Sequence, residues 1–195
     1  MRRLIEITFM SLDGVIDAPD VVQLARPYFV SSNEHDNYQQ ERLLAADAVL
    51  LGRKTYEALS KAYLAMAASP KDAPMDFVDR MNSIPKYVAS RTLTGVTWNA
   101  TVIHGDLAEE VRAIKQQPGK DIVKYGTGPL DRVLFGRHLV DLLCILIYPF
   151  VLSHGIHLFQ GMDVTTHMTL SDVKRFQNGT MVLEYAPLEG HITSC

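Results

Sequence analysis

The stretch Gly52-Arg53-Lys54-Thr55 places a glycine, two cations and a hydroxyl directly after four apolar residues, 48–51. A short apolar run that ends abruptly at a glycine favours a buried strand, and the residues that follow are typical of a helix start. A helix N-terminus presents free backbone N–H groups and the positive end of the helix dipole, so it binds phosphate readily. Arg53 and Lys54 add positive charge, and Thr55 can hydrogen-bond a phosphate oxygen. The stretch therefore predicts a site for a phosphate-bearing ligand.

Two further predicted strands end in a similar way, one at Ser90-Arg91-Thr92 and the other at Gly126-Thr127-Gly128. In open α/β sheets, ligands bind in the crevice beyond the carboxyl ends of the strands. Taken alone, each end is better explained as a turn beside a solvated side chain. Together, the three ends favour an extended site for an anionic ligand with separated phosphates, such as a dinucleotide.

The chain lacks two familiar nucleotide-binding motifs. The segment around Gly126 and Gly128 is not a Rossmann fingerprint, because Leu130-Asp131 supplies no third glycine and the segment comes late in the chain. No Gly-Lys-Ser or Gly-Lys-Thr phosphate loop occurs in the sequence. Any dinucleotide would therefore be bound in another way.

Strands and helices are expected to alternate along most of the chain, and a hairpin over 168–185 closes it at the strong turn signal Asn178-Gly179. Asp106 is expected to cap one helix, and Pro129 to begin another. The order predicts one α/β domain, 1–195, with a mostly parallel mixed sheet and an antiparallel C-terminal hairpin. The remaining predictions are strands at 4–10, 48–51, 85–90, 101–103, 121–125 and 142–151, helices at 33–46, 53–59, 75–82, 107–117 and 129–139, an irregular segment with one helical turn at 19–32 and a loop with a fraying helical piece at 62–74.

Composition restricts the class of protein. The chain has 195 residues, of which 47% are hydrophobic and 21% charged, as in a soluble globular domain. Its net charge of −3 gives no electrostatic footprint for nucleic acid. The longest apolar run, 142–152, is too short to span a bilayer, and no signal-peptide apolar region follows Arg2 and Arg3. Cys144 and Cys195 make no disulfide framework. We therefore expect a cytoplasmic enzyme or binding domain that contacts neither nucleic acid nor membrane.

Five short segments carry a resemblance to a known family. The segments 9–16, 51–57, 90–92 and 125–128 follow the order seen in dihydrofolate-reductase-like proteins. The segment 146–155, with Pro149 and a glycine turn, resembles the branch that includes the reductase domain of riboflavin biosynthesis. The resemblance extends from Leu4 to Tyr185, and its specificity lies in the order and spacing of the segments. It implies a three-layer αβα fold with NADPH bound across a central mixed sheet.

The resemblance also implies which part of NADPH each strand end would contact. A guanidinium fork such as that of Arg91 suits the doubly charged 2′-phosphate. By position, the pyrophosphate would meet Gly52, Arg53, Lys54 and Thr55; the adenosine ribose and its 2′-phosphate would meet Ser90, Arg91 and Thr92; and the phosphates and nicotinamide would meet Gly126, Thr127, Gly128 and Leu130.

Two carboxylates are candidates for holding or protonating the substrate. Asp36 lies near a predicted helix start, about where dihydrofolate reductases carry the carboxylate that holds the pteridine ring, although such a residue also complements the helix dipole. Asp13 lies in the loop that would cover the nicotinamide, although Asp13-Gly14 is also ordinary turn chemistry. No metal site is expected, because His154 and His157, three residues apart, have no third ligand at a suitable spacing. The remaining histidines are expected to be solvated: His35, His104, His138, His167 and His191.

The sequence thus predicts an NADPH-dependent reductase that transfers hydride to a C=N or C=O bond of a small, heterocyclic substrate. One alternative is the riboflavin-pathway reductase itself, which acts on 5-amino-6-(5-phosphoribosylamino)uracil. Others are a true dihydrofolate reductase, which the residues flanking Asp36 do not favour, and a binding or interaction module that keeps the fold without the chemistry. The apolar run 142–152 could serve the core or a homodimer interface.

Overall fold

The computed structural model describes residues 1–30, 33–68, 75–163 and 165–188. The chain divides into two compact units, each built from two segments. The first unit contains Met1–Leu4 and Gln40–Gly126, and the second contains Ile5–Gln39 and the residues from Thr127 onward. Each unit has its own strands and buried core. The single domain expected from the sequence therefore stays a prediction.

The secondary structure largely follows the predicted alternation of strands and helices. In chain order the elements are β1 (Leu4–Ser11), β2 (Val15–Asp17), α1 (Val21–Val30), α2 (Asn33–Leu44), β3 (Ala46–Gly52), α3 (Arg53–Ala68), α4 (Met75–Ser83), β4 (Lys86–Ala89), β5 (Ala100–Ile103), α5 (Leu107–Gln116), β6 (Asp121–Tyr125), α6 (Pro129–Gly136), β7 (Leu142–Tyr148), β8 (Ile156–His157), β9 (Met168–Arg175) and β10 (Met181–Pro187).

In the first unit, four parallel strands pair in the order β5-β4-β3-β6. The apolar residues of β3 are buried on both faces, which explains its unbroken hydrophobic sequence. Helix α3 begins at Arg53, directly after β3 ends at Gly52. As predicted, Asp106 caps α5, because its carboxylate accepts hydrogen bonds from the N–H groups of Ala108 and Glu109 at 2.9 and 3.0 Å.

In the second unit, β1 pairs in parallel with β7, and the antiparallel strands β10 and β9 continue from β7. Every residue of β7 is buried. The β9–β10 turn contains Asn178-Gly179 as predicted, with Gly179 at a φ of +87° that favours glycine. A two-stranded ribbon, β2–β8, joins the segments that follow β1 and β7.

Two segments predicted to be mostly irregular contain more helix than expected. Residues 19–32, predicted to be irregular with one helical turn, contain the 10-residue helix α1, which keeps Pro27 inside it. Helix α3 continues to Ala68, which places the helical piece predicted within 62–74 in the first part of that segment. Residues 69–74 of that loop lie outside the described residues. In α1, tertiary packing of residues such as the buried Ala25 outweighs the low helix propensity of proline.

Strand β7 is shorter than predicted. It ends at Tyr148 rather than at Val151. Pro149 follows directly and has no N–H to donate to a neighbouring strand, which accounts for the end. In the ranges that the structure describes, no helix is long and apolar enough to cross a membrane.

Gly155 lies where no side chain fits. Its φ is +121°, and a Cβ built on it would lie 2.5 Å from the carbonyl oxygen of Asp17 and 2.6 Å from Cγ1 of Val15. We expect Gly155→Ala to lower the free energy of unfolding by about 1–3 kcal/mol because the backbone is strained and the β2–β8 ribbon must shift. Urea denaturation measures the change. The control Gly95→Ala, with no atom within 4 Å of its built Cβ, should alter stability by less than about 0.5 kcal/mol; equal losses in both variants would contradict the prediction.

Candidate functional site

In the first unit, Arg53 connects two of the predicted strand ends. Its Nη1 donates a hydrogen bond of 2.7 Å to Oγ1 of Thr92, which follows β4. Its Nε donates to Oε1 of Glu57, one turn along α3, at 2.7 Å. Half of the Arg53 side chain is exposed. The guanidinium therefore has a fixed direction and still faces solvent.

Ser90 determines the path of the chain after β4. Its Oγ accepts hydrogen bonds from the backbone N–H groups of Thr92 and Leu93 at 3.3 and 3.0 Å. This local turn leaves the side chain of Arg91 exposed. Lys54, at the start of α3, is exposed as well. The ends of β3 and β4 thus present exposed cations, as the sequence predicts.

The third strand end meets the same region at Gly126. The φ of Gly126 is +78°, and a built Cβ would lie 2.4 Å from Oγ1 of Thr55 in the first turn of α3. Only a glycine permits this approach. The buried Lys124 also supports the turn, because its Nζ donates a 2.6 Å hydrogen bond to the carbonyl oxygen of Gly126. Sequence reasoning missed Lys124; its charge within the apolar strand 121–125 was the available signal.

In the second unit, the start of α6 carries the remaining predicted cofactor residues. The hydroxyl of Thr127 is hydrogen-bonded to that of Thr8 on β1. The N–H of Gly128 donates to Oδ2 of the buried Asp131 at 2.6 Å. Leu130 is half-buried. The side chain of Asp131 therefore accepts the hydrogen bond of the N–H that begins this helix.

Asp13 accepts three hydrogen bonds. Oδ1 accepts from Oγ of Ser11 at 2.6 Å and from the N–H of Leu152 at 3.1 Å, and Oδ2 accepts from the N–H of Ser153 at 2.8 Å. The bond from Ser11 and the two backbone bonds lower the pKa of Asp13 to about 2. The carboxylate is therefore ionised at neutral pH, and it joins the loop after β1 to the loop after β7.

Asp36 lies in the first turn of α2, half-exposed, beside a buried histidine. Its Oδ1 is 3.3 Å from Nδ1 of His35, and Nε2 of His35 is 3.1 Å from the hydroxyl of Tyr148. The expectation that His35 is solvated is wrong, since the ring packs against Tyr148 in the core. The sequence of α2 shows little amphipathic pattern, so it did not indicate that His35 lies on the inward face of the helix.

Burial affects the protonation of His35 and Tyr148, which form a hydrogen-bonded series with Asp36. It lowers the pKa of His35, and the hydrogen bond that the ring donates to Asp36 opposes that shift. Burial also raises the pKa of the Tyr148 phenol. A protonated phenol that donates to Nε2 leaves the ring proton on Nδ1, where it points at Asp36. The arrangement Asp36–His35–Tyr148 can thus orient the Asp36 carboxylate.

The structure brings the predicted residues together in two groups. The first unit assembles Arg53, Thr55, Thr92 and Gly126 by direct contacts. The second unit contains both carboxylates and the start of α6. Among the described residues, no group of three His, Cys, Asp or Glu side chains could hold a metal ion. The residues that sequence reasoning missed, His35, Lys124, Asp131 and Tyr148, are all buried.

The structure combines parallel strands, which carry candidate residues at their carboxyl ends, with an antiparallel hairpin at the end of the chain. This combination defines a dihydrofolate-reductase-like α/β protein. A dihydrofolate reductase from Enterococcus faecalis, solved in complex with NADP(H), is similar with a TM-score of 0.52 and 15% identity, over 95% of this chain and 96% of that chain. The predicted fold class is confirmed.

The chain belongs to the RibD C-terminal domain family, whose model matches residues 2–182. The family resemblance drawn from the short segments is therefore confirmed. The match includes every candidate residue of both units.

Other known proteins are similar to this chain in sequence or in fold. The uncharacterized Bacillus subtilis (strain 168) protein YyaP is 30% identical over 139 residues, which cover 71% of this chain and 73% of YyaP. A proposed riboflavin biosynthesis protein of Shewanella sp. PV-4 has a TM-score of 0.71 at 21% identity, over 96% of this chain and 99% of that chain. A diaminohydroxyphosphoribosylaminopyrimidine deaminase/5-amino-6-(5-phosphoribosylamino)uracil reductase of Thermotoga maritima has a TM-score of 0.63 at 13% identity, over 96% of this chain and 57% of that chain.

The hydrogen bonds of Asp13 predict a pH-dependent contribution to stability. Because its pKa falls from 3.8 to about 2 on folding, the contribution is complete above pH 3.8 and is lost as the pH falls through 2. We expect Asp13→Asn to lower the melting temperature at pH 7, and the difference from the parent chain to shrink toward pH 2. Circular dichroism melts across this range measure it.

The matched control is Asp79→Asn, which alters an exposed carboxylate on α4. It should leave the melting temperature nearly unchanged at every pH. A loss in Asp13→Asn that stays constant from pH 7 to pH 2 would assign the effect to the changed shape of the side chain rather than to its charge.

Proposed function

We propose that this member of the RibD C-terminal domain family is an NADPH-dependent reductase that transfers hydride to a C=N or C=O bond of a small heterocyclic substrate. The chain is accordingly an oxidoreductase. The observation that carries the proposal is the convergence of three strand ends in the first unit, where Arg53 contacts Thr92 and Thr55 lies against Gly126. Convergence of this kind suits a ligand with several phosphates.

The residues of the first unit fit a dinucleotide phosphate. The missing side chain at Gly126 leaves room for the side chain of Thr55 in the first turn of α3, and Arg53, Lys54 and Arg91 supply exposed positive charge. Arg53 and Lys54 would bind the pyrophosphate, and Arg91, with Ser90 and Thr92 beside it, the 2′-phosphate of the adenosine ribose. The similar Enterococcus faecalis dihydrofolate reductase, solved with NADP(H), supports this choice of cofactor. When bound, NADPH supplies the hydride.

In the second unit, Asp36 is the residue we propose to contact the substrate. Its carboxylate is half-exposed and oriented by His35. It can accept a hydrogen bond from a ring N–H and favour positive charge as the substrate is protonated. Asp13 is a positioning residue in this proposal, because its low pKa makes it a poor proton donor and its oxygens are already bonded to the loop after β7.

The chemistry of the similar proteins suggests the first substrate to test. The Thermotoga maritima protein is described as a 5-amino-6-(5-phosphoribosylamino)uracil reductase in addition to a deaminase. The uracil ring of that compound carries N–H groups, from which a carboxylate such as Asp36 can accept hydrogen bonds. A riboflavin-type pyrimidine is therefore the substrate class that we propose.

Arg91 provides a test of the cofactor. We expect Arg91→Ala to weaken NADPH binding roughly tenfold or more and to leave NADH binding unchanged, because only NADPH has the 2′-phosphate. Titration followed by nicotinamide fluorescence gives both dissociation constants. The control is Arg112→Ala, which removes an exposed arginine of α5 that pairs with Glu109. Equal affinity of the parent chain for NADPH and NADH would exclude this role for Arg91.

Asp36 provides a test of the chemistry. We expect Asp36→Asn to lower kcat/KM about 100-fold with the pyrimidine substrate and to leave NADPH affinity intact. The reason is that the substitution removes the negative charge that would stabilise the substrate as it is protonated. Stopped-flow absorbance at the nicotinamide band measures turnover. Glu41→Gln, in an exposed residue of the same helix, is the control. NADPH that binds but is not oxidised with any imine or carbonyl compound would indicate a binding module instead.

A further inference from the structure

A cavity lies between helix α6 and the sheet of the second unit, and we call it the α6 cavity. Its volume is about 320 Å³. Phe135 of α6 and Leu143 and Ile145 of β7 form its floor, and all three side chains are buried. An apolar cavity of about 150 Å³ stays dry and binds benzene. The α6 cavity therefore has room for a molecule with more than one ring.

The α6 cavity is separate from the residues that we propose to contact the substrate. Successive side chains of a strand point to opposite faces of the sheet, so Leu143 and Cys144 lie on different faces. Cys144 pairs with Glu184 of β10, whose carboxylate accepts a hydrogen bond from the hydroxyl of Tyr38 on α2. Helix α2, which also carries Asp36, thus covers the face opposite the cavity.

Sulfur and aromatic side chains form the walls of the α6 cavity. These side chains are Met162, Met168, Tyr185 and Phe159. Thioether groups adapt to irregular spaces and make favourable contacts with the edges of aromatic rings. Among the described residues, no charged side chain lines the cavity. The lining therefore suits a neutral aromatic molecule and disfavours an ion such as a phosphate.

Phe159 adopts a strained conformation at the wall of the cavity. Its φ is +63°, which is costly for a residue other than glycine. The ring stands nearly perpendicular to that of Phe135, with ring centres 5.4 Å apart. The N–H of Met162 donates to the carbonyl oxygen of Phe159 at 3.1 Å, and Asp163 forms an ion pair with Arg132 of α6. The turn is thus held against α6, and its strained residue supplies an aromatic wall.

One polar atom of the lining has no partner. Oγ1 of Thr166 is buried and makes no hydrogen bond within the part of the chain that the structure describes. Nearly all buried polar groups in proteins have a hydrogen-bond partner. A ligand with a single N–H or O–H group would supply one. Because the oxygen is covered, the side chain would turn about its Cα–Cβ bond to meet that group.

We infer that the α6 cavity binds a small, neutral aromatic molecule of about two fused rings with one hydrogen-bonding group. Empty apolar space lowers stability in proportion to its volume, so a ligand that fills the cavity stabilises the fold. A second copy of this chain fits less well, because the floor residues are buried and a flat protein surface does not reach them. The inference is independent of the proposed function, since the cavity lies on the other face of the sheet from Asp36.

The experiment titrates the whole chain with indole, a neutral molecule of two fused rings with one N–H, and follows binding by saturation-transfer difference NMR. Indole-3-acetate has the same rings and a carboxylate, which the uncharged lining does not stabilise. We expect indole to bind with a dissociation constant below about 1 mM, and indole-3-acetate to bind at least roughly 10-fold more weakly. Absence of indole binding in this range, or equal binding of the two compounds, would overturn the inference.

Two variants locate the site. Leu143→Phe fills the cavity, so we expect it to abolish indole binding without lowering the melting temperature, because the added ring occupies empty space. Phe159→Leu should weaken indole binding roughly 3- to 10-fold through the lost aromatic contact. The control is Phe9→Leu, since Phe9 and Phe159 are 40% and 39% exposed and Phe9 pairs with Leu146, on the other face of the sheet. Indole affinity equal to that of the parent chain in both cavity variants would place indole elsewhere and overturn the inference.

Sedimentation velocity distinguishes a small ligand from a second copy of the chain as the occupant. We expect Leu143→Phe to have the same oligomeric state as the parent chain, because no partner needs the cavity. A parent dimer that Leu143→Phe dissociates would show that a second copy fills the cavity, and it would overturn the inference. Circular dichroism checks that each variant is folded.

Discussion

Parallel pairing is the constraint on which both units depend. When strands run in the same direction, their carboxyl ends lie at the same edge, and the chain must leave that edge through a turn or a helix start. The first unit applies this rule to β3, β4 and β6, and the second applies it to β1 and β7. The candidate binding residues follow these ends, with the exception of Asp36 on helix α2. Functional groups separated by many residues in the chain thereby become neighbours within a unit.

The buried polar groups keep these ends in their conformations. Lys124 is fully buried and donates to the carbonyl oxygen of Gly126. Asp131 caps the N–H of Gly128. Beneath α2, the hydroxyl of Tyr38 donates to Oε1 of the buried Glu184 at 3.0 Å. Loss of one partner from such a pair leaves a desolvated polar group, which costs about 1–3 kcal/mol and more for a charge. These pairs therefore fix the turns as firmly as apolar packing fixes the strands.

The two candidate carboxylates have different surroundings and so different capacities. Asp13 accepts backbone N–H groups and stays ionised, which suits a residue that joins two loops. Asp36 has half of its side chain in solvent and its carboxylate beside the ring of His35. The same residue type thus supports loop structure in one place and ligand contact in another.

The sequence alone determined the strand ends at Gly52, Ser90 and Gly126, the cap at Asp106 and the turn at Asn178-Gly179, because these depend on local backbone preferences. It also carried the family, through the order of short segments. It did not determine helix α1, the burial of His35 or the contacts among the rings of Phe9, Tyr28, Tyr148 and Phe150. Those depend on which distant side chains meet after the sheet has formed, and the four rings show no common spacing in the chain. Tertiary packing alone decided that they meet, because the pairing of β1 with β7 and the packing of α1 bring residues far apart in sequence into contact.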